Sequence, residues 1–254
     1  MLCANNLTIT HQGNILLDKV SCEIKPGTMV ALVGHNGSGK STLIKALSGE
    51  VSLNSGNVSL DKRCISKFGS KELAKSMAYL PQKLPEAAGF TVSELVMLGR
   101  YPHQKWLQKP NQEDHAKVAE AIQLTSMESF SERITATLSG GERARAWLAM
   151  CIAQDTKYLL LDEPLAALDM QYQIEVIKLI RQLVDEQGLS VVIILHDINL
   201  AAQYADHIIA LKKGGICHSG DVKSTMQESV LQEIFNVDMS FLAHPKTGQR
   251  VAVI

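Results

Sequence analysis

Short apolar runs punctuate the chain, and they end at Gly34, Pro81, Asp162 and His196. Met29–Val33, Met77–Leu80, Tyr158–Leu161 and Val191–Leu195 are four or five residues long. Apolar on every position, they predict strands buried on both faces rather than half-exposed ones. Val20, Cys22 and Ile24 alternate ahead of Lys25-Pro26-Gly27, which predicts an outer strand and turn. Between the runs the period lengthens. Ser41–Leu47 predicts a helix, and Ile174, Ile177, Ile180, Leu183 and Val184 line one face of another. Strands alternating with helices predict an α/β fold with a mainly parallel sheet.

The middle of the chain breaks this rhythm. Thr91-Val92-Ser93-Glu94 has the spacing of a capping box, and Leu95, Val96 and Leu98 follow on a helix. Asn111 starts a second helical stretch, with Ala116, Ala119, Ile122 and Gln123 at helical spacing. Residues 84–137 therefore read as a helical subdomain inserted into a core made of 1–83 and 138–254, all within one domain. A small hairpin is expected from Phe241 to Ile254, turning at Lys246-Thr247-Gly248.

Composition narrows the function. Of 254 residues, 46% are hydrophobic and 20% charged, as in an ordinary globular protein. The net charge of -1 argues against a nucleic-acid binder, which carries a basic excess. Five scattered cysteines without CxxC spacing suggest reduced thiols rather than a disulfide framework or a metal site. The N-terminus MLCANNLTIT has neither a basic region nor a long apolar one, so no signal peptide is expected. The longest apolar runs fall far short of the roughly 20 residues that span a bilayer.

Two segments carry the chemistry. Gly34-His35-Asn36-Gly37-Ser38-Gly39-Lys40-Ser41 matches G-x-x-x-x-G-K-[ST] between a predicted strand and helix. An ordinary glycine-rich turn is the plainer reading. The flanking elements favour a phosphate cradle, in which backbone N–H groups and a helix N-terminus hold anionic oxygens. Lys40 would reach the β- and γ-phosphates and Ser41 would ligate Mg²⁺, with Thr42 beside it on the helix. The run Tyr158–Leu161 ends in Asp162-Glu163. A solvated acidic turn before Pro164 is one reading. Ligands of parallel sheets bind beyond the carboxyl ends of the strands, so Asp162 could instead hold Mg²⁺ and Glu163 activate water.

Leu138-Ser139-Gly140-Gly141-Glu142 precedes a further helix. Ser-x-x-Glu is by itself a capping box, but paired glycines also expose N–H groups suited to a second anion. With these segments the whole chain resembles the ABC ATPase family, whose signature is usually LSGGQ. By that resemblance Ser139, Gly140, Gly141 and Glu142 close on the γ-phosphate held by a second copy. Gln82 resembles the Q-loop, which senses Mg²⁺ and contacts the membrane partner. Leu168-Asp169 resembles the D-loop, and His196 the switch histidine. Two positions depart from the pattern. Ala166 stands where the D-loop usually has serine, and His11 is the nearest match to the usual adenine-stacking aromatic residue, against a plain loop histidine.

The resemblance implies an ATP- and Mg²⁺-dependent homodimer, peripheral on the cytoplasmic face of the bacterial inner membrane. It would serve membrane permease subunits and, indirectly, a substrate-binding protein, with no nucleic-acid partner. Tyr79-Leu80-Pro81-Gln82, Thr91–Val96 with Gly99-Arg100-Tyr101-Pro102, and His196–Ala202 resemble the iron-chelate and vitamin B12 importer class. Leu80–Pro85, Ser139–Arg143 with Arg145-Ala146-Trp147, and Ala243-His244-Pro245 lean towards ferric hydroxamate (siderophore) uptake. Haem, ferric citrate or vitamin B12 import is the alternative. A soluble ABC ATPase acting on DNA or ribosomes usually carries coiled-coil insertions or tandem domains, and a nucleotide kinase would lack the signature and switch histidine.

Overall fold

A computed structural model describes residues 1–85, 87, 89–105, 108–245 and 248–254. The chain forms two compact units, Met1–Lys67 with Ser190–Ile254, and Phe68–Leu189.

The first unit begins with β1 (Leu2–His11) and β2 (Asn14–Ile24), an antiparallel hairpin turning at Gln12-Gly13. Val20, Cys22 and Ile24 are buried on β2, as their alternation predicts, and Leu17 is buried with them. β3 (Met29–Val33) is wholly buried and leads into α1 (Lys40–Ser48). β4 (Ser55–Leu60) pairs with the other side of β1, and the short β5 (Arg63–Cys64) pairs with β4.

The second unit contains all of 84–137 together with two strands and two long helices. After α2 (Ser70–Ala74) comes β6 (Met77–Leu80), then α3 (Val92–Leu98), α4 (Gln112–Leu124), α5 (Gly140–Ala153), β7 (Tyr158–Leu161) and α6 (Met170–Gln187). β6 and β7 pair in parallel. Thr91 and Asn111 close capping boxes at the starts of α3 and α4. Val92, Leu95, Val118, Ile122, Met127 and Ala149 form the apolar core joining α3, α4 and α5. Val92 is therefore a core residue. The buried face of α4 differs from the expected one: Asp114, Val118, Ala121 and Ile122 point inward, while Ala116, Ala119 and Gln123 are exposed. The reason is a buried ion pair. Arg100 donates from Nε to Asp114 Oδ1 at 3.0 Å and from Nη1 to Ala153 O at 2.8 Å. That pair turns the helix so that the stripe begins at Asp114. Burial alone would raise the Asp114 carboxyl, but the Asn111 N–H and the Arg100 guanidinium hold it below the ordinary carboxylate range.

The chain then returns to the first unit with β8 (Ser190–Ile194), α7 (Ile198–Tyr204), β9 (His207–Lys212) and β10 (Gly215–Asp221). β3 pairs in parallel with β8 on one side and with β9 on the other, and β10 runs antiparallel to β9. Two helices, α8 (Val222–Thr225) and α9 (Glu228–Phe235), precede the terminal hairpin of β11 (Ser240–Ala243) and β12 (Arg250–Val253). The expected hairpin is present, and two residues of its expected turn, Lys246 and Thr247, lie outside the described residues. The five cysteines are free thiols. Burial pushes the Cys22 and Cys151 thiols up to about 12, so neither is a nucleophile at neutral pH.

Candidate functional site

In the first unit, β3 delivers its chain directly into the glycine loop. Gly34, Gly37 and Gly39 take φ of 133°, 76° and 108°. The backbone needs glycine at two of these for space as well as conformation. A Cβ on Gly34 would stand 2.3 Å from Leu211 O, and one on Gly39 2.9 Å from Leu16 O. Gly39 is the N-cap of α1 and offers that helix no side-chain cap. The first N–H groups of α1 therefore lack a capping side chain, which is the arrangement that accepts an anion.

Lys40 completes the loop from inside. It is 4% exposed, and its Nζ donates to Gly34 O and His35 O, each at 2.9 Å. The ammonium is thus folded under the loop. The Ser38 hydroxyl is buried and makes no hydrogen bond among the described residues, an unmatched polar group inside the cradle. Asn36 is exposed, and Ser41 and Thr42 are half-buried on the first turn of α1. The His35 ring stands edge-on to Phe235 with centroids 6.0 Å apart, so the loop also touches the end of α9. His11 lies exposed at the tip of the β1–β2 hairpin. His196 is exposed just past β8, where Leu195 N still donates to Leu32 O. Asp197 follows it and caps α7 through Asn199 N at 2.7 Å.

The second unit brings together three other expected residues. β6 ends ahead of Gln82 and β7 ahead of Asp162, and the Asp162 N–H donates to Leu80 O. Two adjacent parallel strands therefore finish side by side, with Asp162 1% exposed at the end. Gln82 Nε2 donates to Glu163 Oε2 at 2.7 Å. Glu163 has φ of 54°, a left-handed conformation that costs a non-glycine residue roughly 1–3 kcal/mol. The strain turns the Glu163 side chain away from the line of β7 to meet Gln82. A carboxylate held this way by an amide can orient water or take its proton.

The start of α5 is also closely held. Ser139 Oγ accepts from Glu142 N at 3.3 Å, and Glu142 Oε2 accepts from Ser139 N at 2.8 Å. The Ser139 backbone and hydroxyl hold the Glu142 carboxyl below its ordinary range. A Cβ on Gly141 would lie 3.3 Å from Leu168 Cδ2 and 3.5 Å from Ala167 O. This close approach seats the signature glycines on the segment before α6, which Asp169 caps through Tyr172 N. One further contact has no local signal in either segment: Arg145 on α5 places its guanidinium 4.3 Å from the centre of the Tyr172 ring.

Residues 17–166 match the model of the ABC transporter family. The iron(3+)-hydroxamate import ATP-binding protein FhuC of Bacillus subtilis is 37% identical, over 99% of this chain and 94% of that protein. The hemin import ATP-binding protein HmuV of Rhodococcus jostii is 40% identical, over 97% of this chain and 84% of that protein. Among solved structures, the dimeric cassette MJ0796 in a post-hydrolysis state with ADP and Pi superposes with a TM-score of 0.79. It is 27% identical, over 87% of this chain and 99% of that one.

Proposed function

The chain belongs to the ABC transporter family as a transport-coupled ATPase, and from that premise we propose that it powers uptake of an iron(III)-hydroxamate siderophore. It would do so as a homodimer on the cytoplasmic face of the inner membrane, beneath permease subunits fed by a substrate-binding protein. No described helix is long and apolar enough to cross a membrane, so force must pass to another chain. The observation that carries the ATPase chemistry is the uncapped, glycine-built start of α1 with Lys40 buried beneath it.

In this reading Gly34–Thr42 binds the phosphates, His11 stacks on adenine and His196 senses the γ-phosphate. Ser139–Glu142 of the second copy closes the site. Glu163, held by Gln82, activates the attacking water. Among the described residues no group of three or more His, Cys, Asp or Glu could hold a metal. The donors proposed for Mg²⁺ are instead the Ser41 hydroxyl, the Gln82 carbonyl and the Asp162 carboxylate. All are hard oxygens, and their small number fits an ion that keeps most of its water. Bound Mg²⁺ would neutralise charge on the β- and γ-phosphates.

Glu163→Gln tests the assignment. Turnover should fall about a hundredfold or more, as for loss of a general base, while ATP still binds and a closed dimer accumulates. Turnover at the wild-type rate would reject it. Phe90, Leu98, Tyr101 and Ile134 are exposed apolar side chains of the second unit, 40–65% accessible, and the N–H of Thr135, next to Ile134, donates to Phe90 O. They are the proposed permease face. Phe90→Ser should abolish uptake and leave ATP affinity and melting temperature unchanged. If uptake and stability fall together, the patch is structural packing.

The cargo rests on the likeness to hydroxamate importers, and the hemin relative supports a second reading. Uptake of labelled ferrichrome and of hemin in cells lacking this chain, with and without its return, separates the two.

A further inference from the structure

The terminal hairpin is fastened to the first turn of α7, three residues from His196. Asn199, on the first turn of α7, donates from Nδ2 to Ala252 O at 3.0 Å and accepts from Ala252 N at Oδ1 at 2.8 Å. Ala252 is the partner of Phe241 across the hairpin. Both of its backbone groups face Asn199, so the Phe241–Ala252 pair is a non-hydrogen-bonded one and the outer edge of β12 is open at this residue. The Asn199 amide fills that edge as the peptide of a third strand would. Only a primary amide at this reach supplies one donor and one acceptor together.

The rest of the hairpin is lightly held. Ser240, Leu242, Ala243 and Arg250 are exposed, and the Arg250 guanidinium lies over Phe241 and donates from Nη1 to Met226 O at 3.5 Å, a long bond. The element on the other side of the clamp needs support. α7 has seven residues, too few to be stable alone. Its inner face is fixed by Ile198, Ala201 and Tyr204, all buried, and the helix packs on β3. Its first turn is fixed by Asp197. Asn199 adds the outer hold, next to the exposed turn that carries His196.

We infer that the C-terminal hairpin is a strap that positions the switch histidine, with Asn199 as its buckle. The inference rests on the proposed role of His196 in hydrolysis. Asn199 is a positioning residue: it acts by limiting where the Leu195–Asp197 turn can hold the imidazole. Loosening it should slow the chemical step without weakening ATP binding.

The test uses the full-length protein with Asn199→Ala, Asn199→Asp, His196→Ala and the Asn199→Ala/His196→Ala pair. Asn199→Asp keeps size and the acceptor but sets a second oxygen against Ala252 O, so it opens the clamp with little change in packing. Both Asn199 variants should lower kcat about tenfold, the range expected for loss of two hydrogen bonds, with KM for ATP changed less than twofold. In NMR spectra the His196 ring resonances should shift while those of His35 stay. The pair should be no slower than His196→Ala alone, because both changes remove one function. Wild-type kcat in Asn199→Asp, with the Ala252 amide exchanging freely, would overturn the inference, and so would losses that multiply in the pair. If His196→Ala itself turns over at the wild-type rate, the reading of His196 fails, and with it the role of the strap.

Discussion

Two helices begin at glycine-rich sequences, and they begin differently. α1 starts at Gly39 in the left-handed region, with no side-chain cap and a buried lysine below. α5 starts at Ser139 in extended backbone, and its capping box is closed on both sides. The first start gives its leading N–H groups no side-chain cap, the arrangement that suits an anion. The second has already satisfied two donors from its own side chains, so an anion there meets the remaining N–H groups and the Ser139 hydroxyl. Sequence likeness between two glycine-rich helix starts therefore conceals a division of labour. In the proposed reading the loop at Gly34–Ser41 captures phosphate by itself. The one at Ser139–Gly141 is stable without a ligand and suits a surface that adds a contact when another chain brings the phosphate to it.

The largest expected effect separates the two starts by charge. Lys40→Ala should weaken ATP binding about 100-fold, since it removes a charge-assisted contact at a buried site. Ser139→Ala, measured in the same monomeric binding assay, should leave affinity within twofold. Comparable losses would mean that the α5 start also captures nucleotide within one chain. The next effect concerns backbone. Gly39→Ala places a Cβ 2.9 Å from Leu16 O and from Leu17 Cδ2 at φ of 108°. It should destabilise the protein by roughly 1–3 kcal/mol, a fall of several degrees in Tm. Gly140→Ala meets only the Ala167 Cβ at 4.0 Å and should change stability by less than about 0.5 kcal/mol. Equal melting temperatures would show that the α1 start tolerates what its geometry forbids.

The smallest effect is a pH dependence. The Glu142 carboxyl has its pKa lowered in the folded chain by Ser139. Its contribution is therefore present above its ordinary value near 4.5 and lost as pH falls through the folded value. The group is near the surface, so the effect is modest. Glu142→Gln, which can still accept from Ser139 N, should lower stability slightly at neutral pH and change it little in acid, where Glu142 is protonated, so the acid limb of the profile flattens. An unchanged acid limb would mean that this carboxylate does not sense the cap.

The sequence was most legible where chemistry is local. The glycine loop, the acids after Tyr158–Leu161 and the cap at Thr91 each lie within one short segment, and the local physics of turns and caps places them. Long-range pairs were not legible. Gln82 and Glu163 are 81 residues apart, Asn199 and Ala252 53, and nothing in either segment announces the other. The inward face of α4 was misread because Ala116 and Ala119 favour a helix without demanding burial, while Asp114 is buried by a distant arginine. β1 and β4 escaped the pattern because polar asparagines, serines and threonines interrupt their apolar positions. Arg145 and Tyr172 lie on different helices and meet only after those helices pack.

The central claim is that each ATP is held by the α1 start of one chain and the α5 start of another. It is tested most directly by mixing two inactive proteins. Lys40→Ala chains keep an intact α5 start, and Ser139→Arg chains keep an intact phosphate loop. A twofold dimer of one with the other contains one site with both lesions and one with neither. The mixture should regain ATPase activity, up to about half that of the wild-type dimer per heterodimer if the two sites act independently. A mixture that forms heterodimers, demonstrated by differential tagging, yet stays as inactive as its parents would contradict the shared site.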